Sequence, residues 1–211
     1  FGFGRKTGVD FPSETSGRLS NYSNWSKMDT GAISFGHGVS VSAIQMVSAV
    51  SAIANDGILM KPYIVKQIVN QNDEPVKRFK PQKIRRAVSA RTAKIVKNIM
   101  KTVITEGGTG VNAALDGYSV CGKTGTSRKL DETGQYSHNS HTASFIGFAP
   151  ADKPEIAILV VVDEPKEKYY GGIVAAPVFK QIAQQTLNYL NVPPDNDTTK
   201  FRVFLGREAN G

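Results

Sequence analysis

The sequence predicts an α+β fold in which helices flank an antiparallel sheet. Two observations support this prediction. Strand-like segments follow one another through short turns, as where the turn 149–154 joins 143–149 to 155–162. Segments with the 3.6-residue apolar period of helices lie apart from these strands and do not alternate with each of them. Strands joined by short turns pair antiparallel, so a parallel sheet is not expected.

Three segments carry helix signals. Ser42 and Gln45 form a capping box before a periodic apolar run that ends at 55–57, where Gly57 suits the left-handed conformation. A second helix is predicted after Ser89 and a third over 175–190, with proline in its first turn. We expect these two helices to bury Ile95, Val96, Ile99, Met100, Val103, Ile104, Val178, Phe179, Ile182, Ala183 and Leu187.

Strands are predicted at 60–69, 76–79, 118–124, 143–149 and 155–162. The turn 70–74 is expected to join the first two as a hairpin. Residues 1–38 and 127–141 are polar, contain glycine and lack a clear period, so both are expected to be irregular.

Composition limits the kind of site that the chain can hold. Its 211 residues are 40% hydrophobic and 21% charged, which suits one globular domain. The longest strongly apolar run, 156–162, is too short to cross a bilayer. One cysteine excludes an internal disulfide and a cysteine-based zinc site. His37, His138 and His141 have no regular metal-ligand spacing beyond the 138/141 pair, and the polar, loop-like segment around that pair favours solvated loop histidines. No metal and no cofactor are therefore expected.

The net charge of +8 is concentrated in one region. Ten Lys or Arg and no acid occur between Lys77 and Lys101. Such a region suits an anionic partner, but Phe79 is its one aromatic residue, and Lys94, Lys97 and Lys101 share a helix face. A solvated helix face is favoured, and nucleic acid is not expected as a partner.

The stretch GYSVCGKTGTS, 117–127, allows two interpretations. Gly117, Gly122, Lys123 and Thr124 fit the phosphate-binding pattern G-x-x-x-x-G-K-[ST], and 158–163 resembles a Walker B strand ending in an acid. A phosphate loop requires a flexible loop followed by a helix. Here the four variable positions favour a strand, and no helical period follows. The nucleotide interpretation is therefore the less favoured.

The second interpretation is K-T-G, a signature of serine acyltransferases. On a strand edge, Lys123 supplies positive charge for a substrate carboxylate, and the hydroxyls of Thr124 and Thr126 bond the same group. Gly125 permits close approach of an extended substrate, and the Thr126 N–H is a candidate oxyanion donor. Strict alternation puts Lys123 and Thr124 on opposite faces, so this site requires an exposed, twisted edge.

The resemblance to a known family extends far beyond this motif. It covers FGFGRKTGVDFPSE (1–14), ISFGHGVSVSAIQMVSAVSAIANDGILMKP (33–62), TEGGTGVNAALDGYSVCGKTGTSRK (105–129), FIGFAPADKPEIAILVVVDEP (145–165) and YYGGIVAAPVF (169–179). The chain resembles class B penicillin-binding proteins, which are peptidoglycan D,D-transpeptidases, and most closely those of cell division.

The resemblance implies a β-lactamase/transpeptidase-like fold with a five-stranded sheet between helices, of which this chain holds three strands. It implies catalytic roles for Lys123 and Thr126, and substrate binding by Thr124, Gly125 and Thr126. Tyr169 and Tyr170 resemble an aromatic wall of the cleft, with ordinary loop packing as the alternative. The implied partners are peptidoglycan stem peptides, β-lactam antibiotics and other cell-division membrane proteins. The implied location is the extracytoplasmic face of the inner membrane.

The chain departs from the family pattern in one respect. Family members carry S-x-x-K, then S-x-N, then K-T-G, but no serine here is followed by lysine three residues later. The S-x-N-like strings at 22–24 and 137–139 occur at the wrong places in that order. We therefore expect a C-terminal fragment, with 1–192 in the transpeptidase domain and 193–211 as a polar tail. The nucleophile is expected upstream, so the fragment itself should be inactive.

Other functions remain open at this point. A D,D-carboxypeptidase, a β-lactamase or a penicillin-sensing domain would share K-T-G with a transpeptidase. A non-enzymatic wall-binding module that uses the basic region is a further alternative, and a P-loop ATPase is a remote one.

Overall fold

The computed structural model describes residues 1–130 and 133–196. The chain divides into two compact units, Phe1–Ala90 and Arg91–Gly211. Most of the predicted tail, 197–211, lies outside the described residues. None of the helices within the described ranges is long and apolar enough to span a membrane.

The first unit contains two α-helices, α1 (Lys27–Ser34) and α2 (Ala43–Ala54), after a 3-10 turn at Tyr22–Asn24. The capping box predicted for α2 is confirmed, because Gln45 N donates to Ser42 Oγ and Ser42 N donates to Gln45 Oε1. Helix α1 was not predicted. It buries no residue, so it has no apolar stripe for a periodicity search to detect.

Gln45 also anchors the first residues of the chain. Its side chain is 2% exposed, and its Nε2 donates to Arg5 O at 2.7 Å and to Ser16 O at 2.8 Å. A buried amide needs such partners, since an unpaired one costs about 1–3 kcal/mol. The irregular segment before α1 is therefore fixed on α2 by one side chain.

Two small antiparallel pairs complete this unit. Strand β1 (Ile58–Met60) pairs with β4 (Lys83–Arg86), and β2 (Gln67–Val69) pairs with β3 (Pro75–Arg78). The hairpin predicted around 70–74 is confirmed.

The strand predicted over 60–69 was wrong, because it is interrupted between Met60 and Gln67. The carboxylate of Asp10 accepts hydrogen bonds from Ile64 N and Val65 N, at 2.6 and 2.9 Å. These amides are thus bonded by a side chain and not by a neighbouring strand.

The second unit is built on a three-stranded antiparallel sheet. Its strands are β5 (Cys121–Leu130), β6 (Tyr136–Ala149) and β7 (Ile156–Asp163), in the order β5-β6-β7. Its α-helices are α3 (Ala90–Thr102), α4 (Gly171–Val174) and α5 (Ala176–Tyr189), and a 3-10 turn lies at Val111–Ala113. Helices on an antiparallel sheet confirm the α+β prediction.

The irregular segment predicted over 127–141 was wrong. Strands β5 and β6 continue into it as a paired ribbon, with Ser127 opposite Thr142 and Arg128 opposite His141. The residues of this ribbon are mostly polar, and none of those whose burial is described is fully buried. A strand without a buried apolar face lacks the alternation on which its prediction depends, so the composition suggested a loop.

The core of the second unit lies between the sheet and α5. The Phe145 ring of β6 packs against Phe179 of α5, with centroids 4.8 Å apart. The core cluster consists of Ala113, Leu115, Tyr118, Val120, Phe145, Ala149, Val160, Ala175, Ala176, Phe179, Ala183 and Leu187. The predicted burial of Ile95 and Ile99 in α3 was wrong, since they are 51% and 61% exposed. Val178 and Ile182 of α5 are also exposed.

Cys121 lies on β5 and is fully buried. Its Sγ donates to Lys97 O of α3 at 3.3 Å, so α3 covers the beginning of β5. Burial raises the pKa of the Cys121 thiol to about 12, because a thiolate is poorly solvated in such a place.

We expect alkylation of Cys121 in the folded chain at neutral pH to be at least about 1,000-fold slower than in the unfolded chain, whose thiol has an ordinary pKa. Iodoacetamide labelling followed by mass spectrometry measures both rates, with concentrated guanidinium chloride as the unfolded control. Comparable rates in the two conditions would contradict the buried position.

The last described residues, 192–196, form a C-terminal strap over the segment that leads into β5. Tyr118 Oη donates to Val192 O at 2.7 Å, Ser119 N donates to Asp195 Oδ1 at 2.7 Å, and Asn196 N donates to Gly117 O at 3.0 Å. The Ser119 hydroxyl also donates to the Asp195 carboxylate. The strap therefore belongs to the structure around the beginning of β5.

Candidate active site on the edge strand

The K-T-G motif lies on β5, which pairs with β6 alone among the described strands. Its other side is an open edge of the sheet. Gly122, Lys123 and Thr124 are paired in register with Gly147, Ile146 and Phe145, and the strand continues to Leu130 with no turn into a helix. The nucleotide interpretation is therefore wrong, because a phosphate loop needs a curled backbone that leads into a helix.

Thr124 and Thr126 lie on one face of β5, where other backbone segments meet them. The Oγ1 atoms of Thr124 and Thr109 are 2.9 Å apart and share a hydrogen bond. Thr126 Oγ1 accepts a hydrogen bond from Gly171 N, the first residue of α4, at 3.2 Å. Both hydroxyls are thus oriented by neighbouring residues.

Lys123 is exposed, and its ammonium bends back onto its own strand. Its Nζ donates to Thr124 O at 2.8 Å. Alternation places the Lys123 and Thr124 side chains on opposite faces, yet this bond brings the ammonium to the main chain of Thr124. A long side chain at an open edge can therefore serve the same site as the threonine beside it.

Glycine allows the beginning of α4 to approach three other backbone segments closely at this site. A Cβ at Gly171 would overlap the carbonyl oxygens of Ser144 and Gly125, and a Cβ at Gly172 would overlap Thr109 O. A Cβ at Gly125 would overlap the Ser144 hydroxyl oxygen of β6. Asn112 Nδ2 also donates to Gly172 O at 2.8 Å. The beginning of α4 is thus packed directly against the K-T-G strand.

Tyr169 and Tyr170 precede α4 and form an exposed aromatic pair. Their ring centroids are 4.6 Å apart, and the Tyr169 hydroxyl donates to the Tyr170 hydroxyl at 3.4 Å. The bond to Tyr170 raises the pKa of Tyr169 above its ordinary value. The Tyr169 ring also stacks on the His141 ring of β6, with centroids 4.1 Å apart and planes at 14°.

An ion-pair cluster joins β5 to the end of β7. Lys129 Nζ lies 3.0 Å from Asp163 Oδ2 and 2.9 Å from Glu164 Oε1, and Thr142 Oγ1 donates to Asp163 Oδ1. Hydrogen bonds to Glu164 and Asp163 raise the pKa of Lys129, and the bond from Lys129 lowers the pKa of Asp163. Asp163, which resembled a Walker B acid in sequence, is a member of this cluster.

Sequence reasoning located part of this arrangement. Lys123, Thr124, Gly125 and Thr126 are consecutive on the edge strand, and the predicted tyrosines directly precede the residue that bonds Thr126. Their predicted roles toward a substrate stay predictions. Thr109 was missed and has no sequence signal that would distinguish it. His141 was taken for a solvated loop histidine, although it lies on a strand and stacks on Tyr169.

Comparison with known proteins shows one family throughout. The family described as the penicillin binding protein transpeptidase domain matches residues 1–184. Stage V sporulation protein D of Bacillus subtilis is 42% identical over 196 residues, which is 92% of this chain and 30% of that protein. The probable peptidoglycan D,D-transpeptidase PenA of Neisseria flavescens is 40% identical over 92% of this chain and 46% of its own length. The chain therefore spans less than half the length of these relatives.

Solved structures agree with the sequence comparisons. The transpeptidase domain of Burkholderia pseudomallei penicillin-binding protein 3 is 39% identical with a TM-score of 0.79, over 92% of this chain and 56% of that one. Penicillin-binding protein 3 of Mycobacterium tuberculosis, complexed with ampicillin, is 33% identical with a TM-score of 0.84, over 93% and 45%. With the edge strand, its K-T-G motif and the matched family in agreement, this chain belongs to the penicillin-binding protein transpeptidase domain family.

Proposed function

We propose that this chain supplies the K-T-G side of the cleft of a serine D,D-transpeptidase that cross-links peptidoglycan stem peptides and is acylated by β-lactams. The observation that carries the proposal is the position of Lys123-Thr124-Gly125-Thr126 on the open edge of β5. An open edge offers main-chain hydrogen bonds to an extended peptide.

The side chains at this edge suit a peptide that ends in a carboxylate. The Lys123 ammonium is exposed, and it donates a hydrogen bond to the carbonyl of Thr124. This neutral carbonyl would compete only weakly with a substrate carboxylate for the ammonium. A carboxylate is a stronger acceptor for an ammonium than a neutral carbonyl is. Thr126 Oγ1 accepts from Gly171 N, so its O–H is left to donate to the same carboxylate. The Thr124 O–H can also donate to it when Thr109 is the donor of their shared hydrogen bond.

The reaction also needs groups that this chain does not contain. Acyl transfer by a serine enzyme requires a nucleophile, a base and two oxyanion donors. The main-chain N–H of Thr126 is our candidate for one donor. No serine in the sequence has a lysine three residues later, so we propose that the S-x-x-K and S-x-N elements lie on a segment outside these 211 residues. The transpeptidase domain is then shared between that segment and this chain.

The biological setting follows from the same proposal. We place the parent enzyme at the extracytoplasmic face of the inner membrane of a bacterial envelope, where its substrate is cross-linked. A role in cell division, with other membrane proteins of that process as partners, is proposed because a relative is named FtsI, the peptidoglycan D,D-transpeptidase of Buchnera aphidicola, which is 35% identical.

A fluorescent penicillin tests whether acylation requires both this chain and the upstream segment. We expect the isolated 211-residue chain to form no covalent adduct, because it lacks the serine of the family motif. We also consider a chimera in which this chain is fused after the upstream part of Neisseria gonorrhoeae PenA, which is 40% identical over 96% of this chain. This chimera should form a stoichiometric adduct. Adducts are counted by gel fluorescence and mass spectrometry.

The control is the same chimera with the S-x-x-K serine changed to alanine, which should remain unlabelled. A stoichiometric adduct on the isolated chain would refute the missing nucleophile. A folded chimera that is not acylated would refute the proposed contribution of the K-T-G edge. Rapid release of the adduct with turnover would favour a β-lactamase over a transpeptidase.

A further inference from the structure

Residues 66–86 of the first unit, which include β2, β3 and β4, form a strongly basic segment that we call the basic arm. It contains seven Lys or Arg and two acids. Every residue of its three strands is exposed. Both acids, Asp73 and Glu74, lie between β2 and β3, so the rest of the arm presents only positive and neutral side chains to solvent.

Most of the cations in the basic arm have no acidic partner. Arg86 is bonded within the first unit, because its Nη1 donates to Asp56 O at 2.7 Å. In the part of the chain that the structure describes, the following cations of the arm form no ion pair with an acid: Lys66, Lys77, Arg78, Lys80 and Lys83. Like charges held this close repel one another, and an anionic partner would replace that repulsion with attraction.

One face of the hairpin formed by β2 and β3 combines positive charge with apolar surface. Ile68 is 48% exposed and lies directly opposite Lys77, and opposite residues of an antiparallel pair share a face. Residues two apart on a strand also share a face, which adds Lys66 and Phe79, and Phe79 N donates to Lys66 O. The Lys77 ammonium lies 4.9 Å from the centroid of the Phe79 ring. The face thus offers two ammonium groups with apolar side chains beside them.

The turn of this hairpin holds its two strands in a fixed geometry. Asn70 Oδ1 accepts hydrogen bonds from Asn72 N and Glu74 N, at 2.9 and 3.0 Å, and Asn70 Nδ2 donates to Glu74 Oε2 at 2.8 Å. A two-stranded hairpin without a covering layer is only marginally stable in water. A partner that lies along its exposed face would therefore add contacts to a shape that is already formed.

We propose that the basic arm is a second binding surface for peptidoglycan, which holds a strand of the polymer through carboxylates of its stem peptides. The inference rests on the proposed transpeptidase function, since that function brings the polymer to this chain. Peptidoglycan presents carboxylates at repeated intervals for the lysines, and methyl groups of N-acetyl and alanine units for Ile68 and Phe79. Two linked contacts with one polymer raise the effective concentration of its stem peptides.

An anionic lipid surface fits the basic arm less well. The tip of a hairpin meets a flat surface first, and here the tip carries Asp73 and Glu74. Anionic headgroups repel these carboxylates, whereas a flexible polymer can lie along the side of the hairpin and avoid them.

Cosedimentation of the 211-residue chain with purified insoluble peptidoglycan tests this binding. Combining Lys66→Ala, Lys77→Ala and Lys80→Ala should weaken binding about eightfold at low salt, which is about twofold for each exposed charge removed. Binding of the native chain should also weaken as salt is raised, because exposed charges are screened. Urea unfolding followed by circular dichroism checks that the variants are folded.

The matched control combines Lys94→Ala, Lys153→Ala and Lys166→Ala, which remove the same charge from exposed lysines of the second unit. It should weaken binding less than about twofold. If the triple variant of the arm does not fold, Lys80→Glu, outside both strands of the hairpin, should by itself weaken binding about threefold. Equal losses in the arm variant and the control, or no binding of the native chain, would overturn the inference. Equal binding to vesicles of phosphatidylglycerol would overturn the choice of peptidoglycan as the partner.

The acylatable PenA chimera separates this inference from the proposed function. With the three arm lysines changed to alanine, benzylpenicillin should acylate the chimera within about twofold of the native rate, since none of these lysines belongs to the K-T-G motif. A large loss of acylation in the folded variant would overturn a role confined to the polymer. A native chimera that is not acylated refutes the proposed function instead, and cosedimentation then decides the role of the basic arm alone.

Discussion

Gly171→Ala is expected to destabilise the folded chain by about 3 kcal/mol, the upper part of the range for overpacked sites. A Cβ at this position would overlap the carbonyl oxygens of Ser144 and Gly125. Both belong to paired strands, so neither can move without disturbing the hydrogen bonds of the sheet. The alternative is that α4 moves away from β5, which breaks the Gly171–Thr126 bond.

Urea unfolding followed by circular dichroism measures this effect. Gly31→Ala is the matched control, because a Cβ at Gly31 meets no atom within 4 Å and alanine is the better helix former. We expect Gly31→Ala to change the free energy of unfolding by less than about 1 kcal/mol. A Gly171→Ala variant as stable as the native chain would show that α4 does not pack as closely as described.

Lys123→Ala is expected to lower the rate of acylation of the PenA chimera by benzylpenicillin about 100-fold, the lower part of the range for loss of one charge-stabilising donor. The ammonium lies at the open edge beside Thr124 O and is the charged group of the K-T-G motif. Its loss removes the attraction for the ligand carboxylate but no packing, since the side chain is exposed.

Stopped-flow measurement of acylation over a range of penicillin concentrations separates binding from the chemical step. Lys153→Ala, which removes an exposed lysine from the turn between β6 and β7, is the control and should alter the rate less than about twofold. Unfolding curves should coincide for the native protein and both variants. A Lys123→Ala chimera that is acylated at the native rate would show that Lys123 does not take part in acylation.

The sequence predicted best those elements whose residues carry a local signal. The capping box at Ser42 and Gln45, the hairpin turn at 70–74 and the α5 helix each depend on neighbouring residues, and the structure confirms them. The K-T-G strand was predicted over 118–124 and is confirmed in part, since β5 covers Cys121–Leu130 and Tyr118 to Val120 precede it.

The features that the sequence did not reveal depend on distant contacts. Asp10 interrupts the strand predicted over 60–69 by bonding two amides more than 50 residues away. His141 belongs to a polar ribbon whose pairing, and not its composition, makes it a strand. The bond between Thr109 and Thr124 joins residues 15 positions apart across a turn of irregular backbone. None of these contacts leaves a period or a spacing in the sequence.

The C-terminal strap has a consequence for the order in which the protein matures. Ser119 and Asp195 are 76 residues apart in the chain, and a ribosome releases the N-terminal partner first. The segment that leads into the K-T-G strand therefore cannot form its bonds to the strap until Asp195 has been translated. A nascent chain that stalls before Asp195 would expose this segment to chaperones without the hydrogen bonds of the strap.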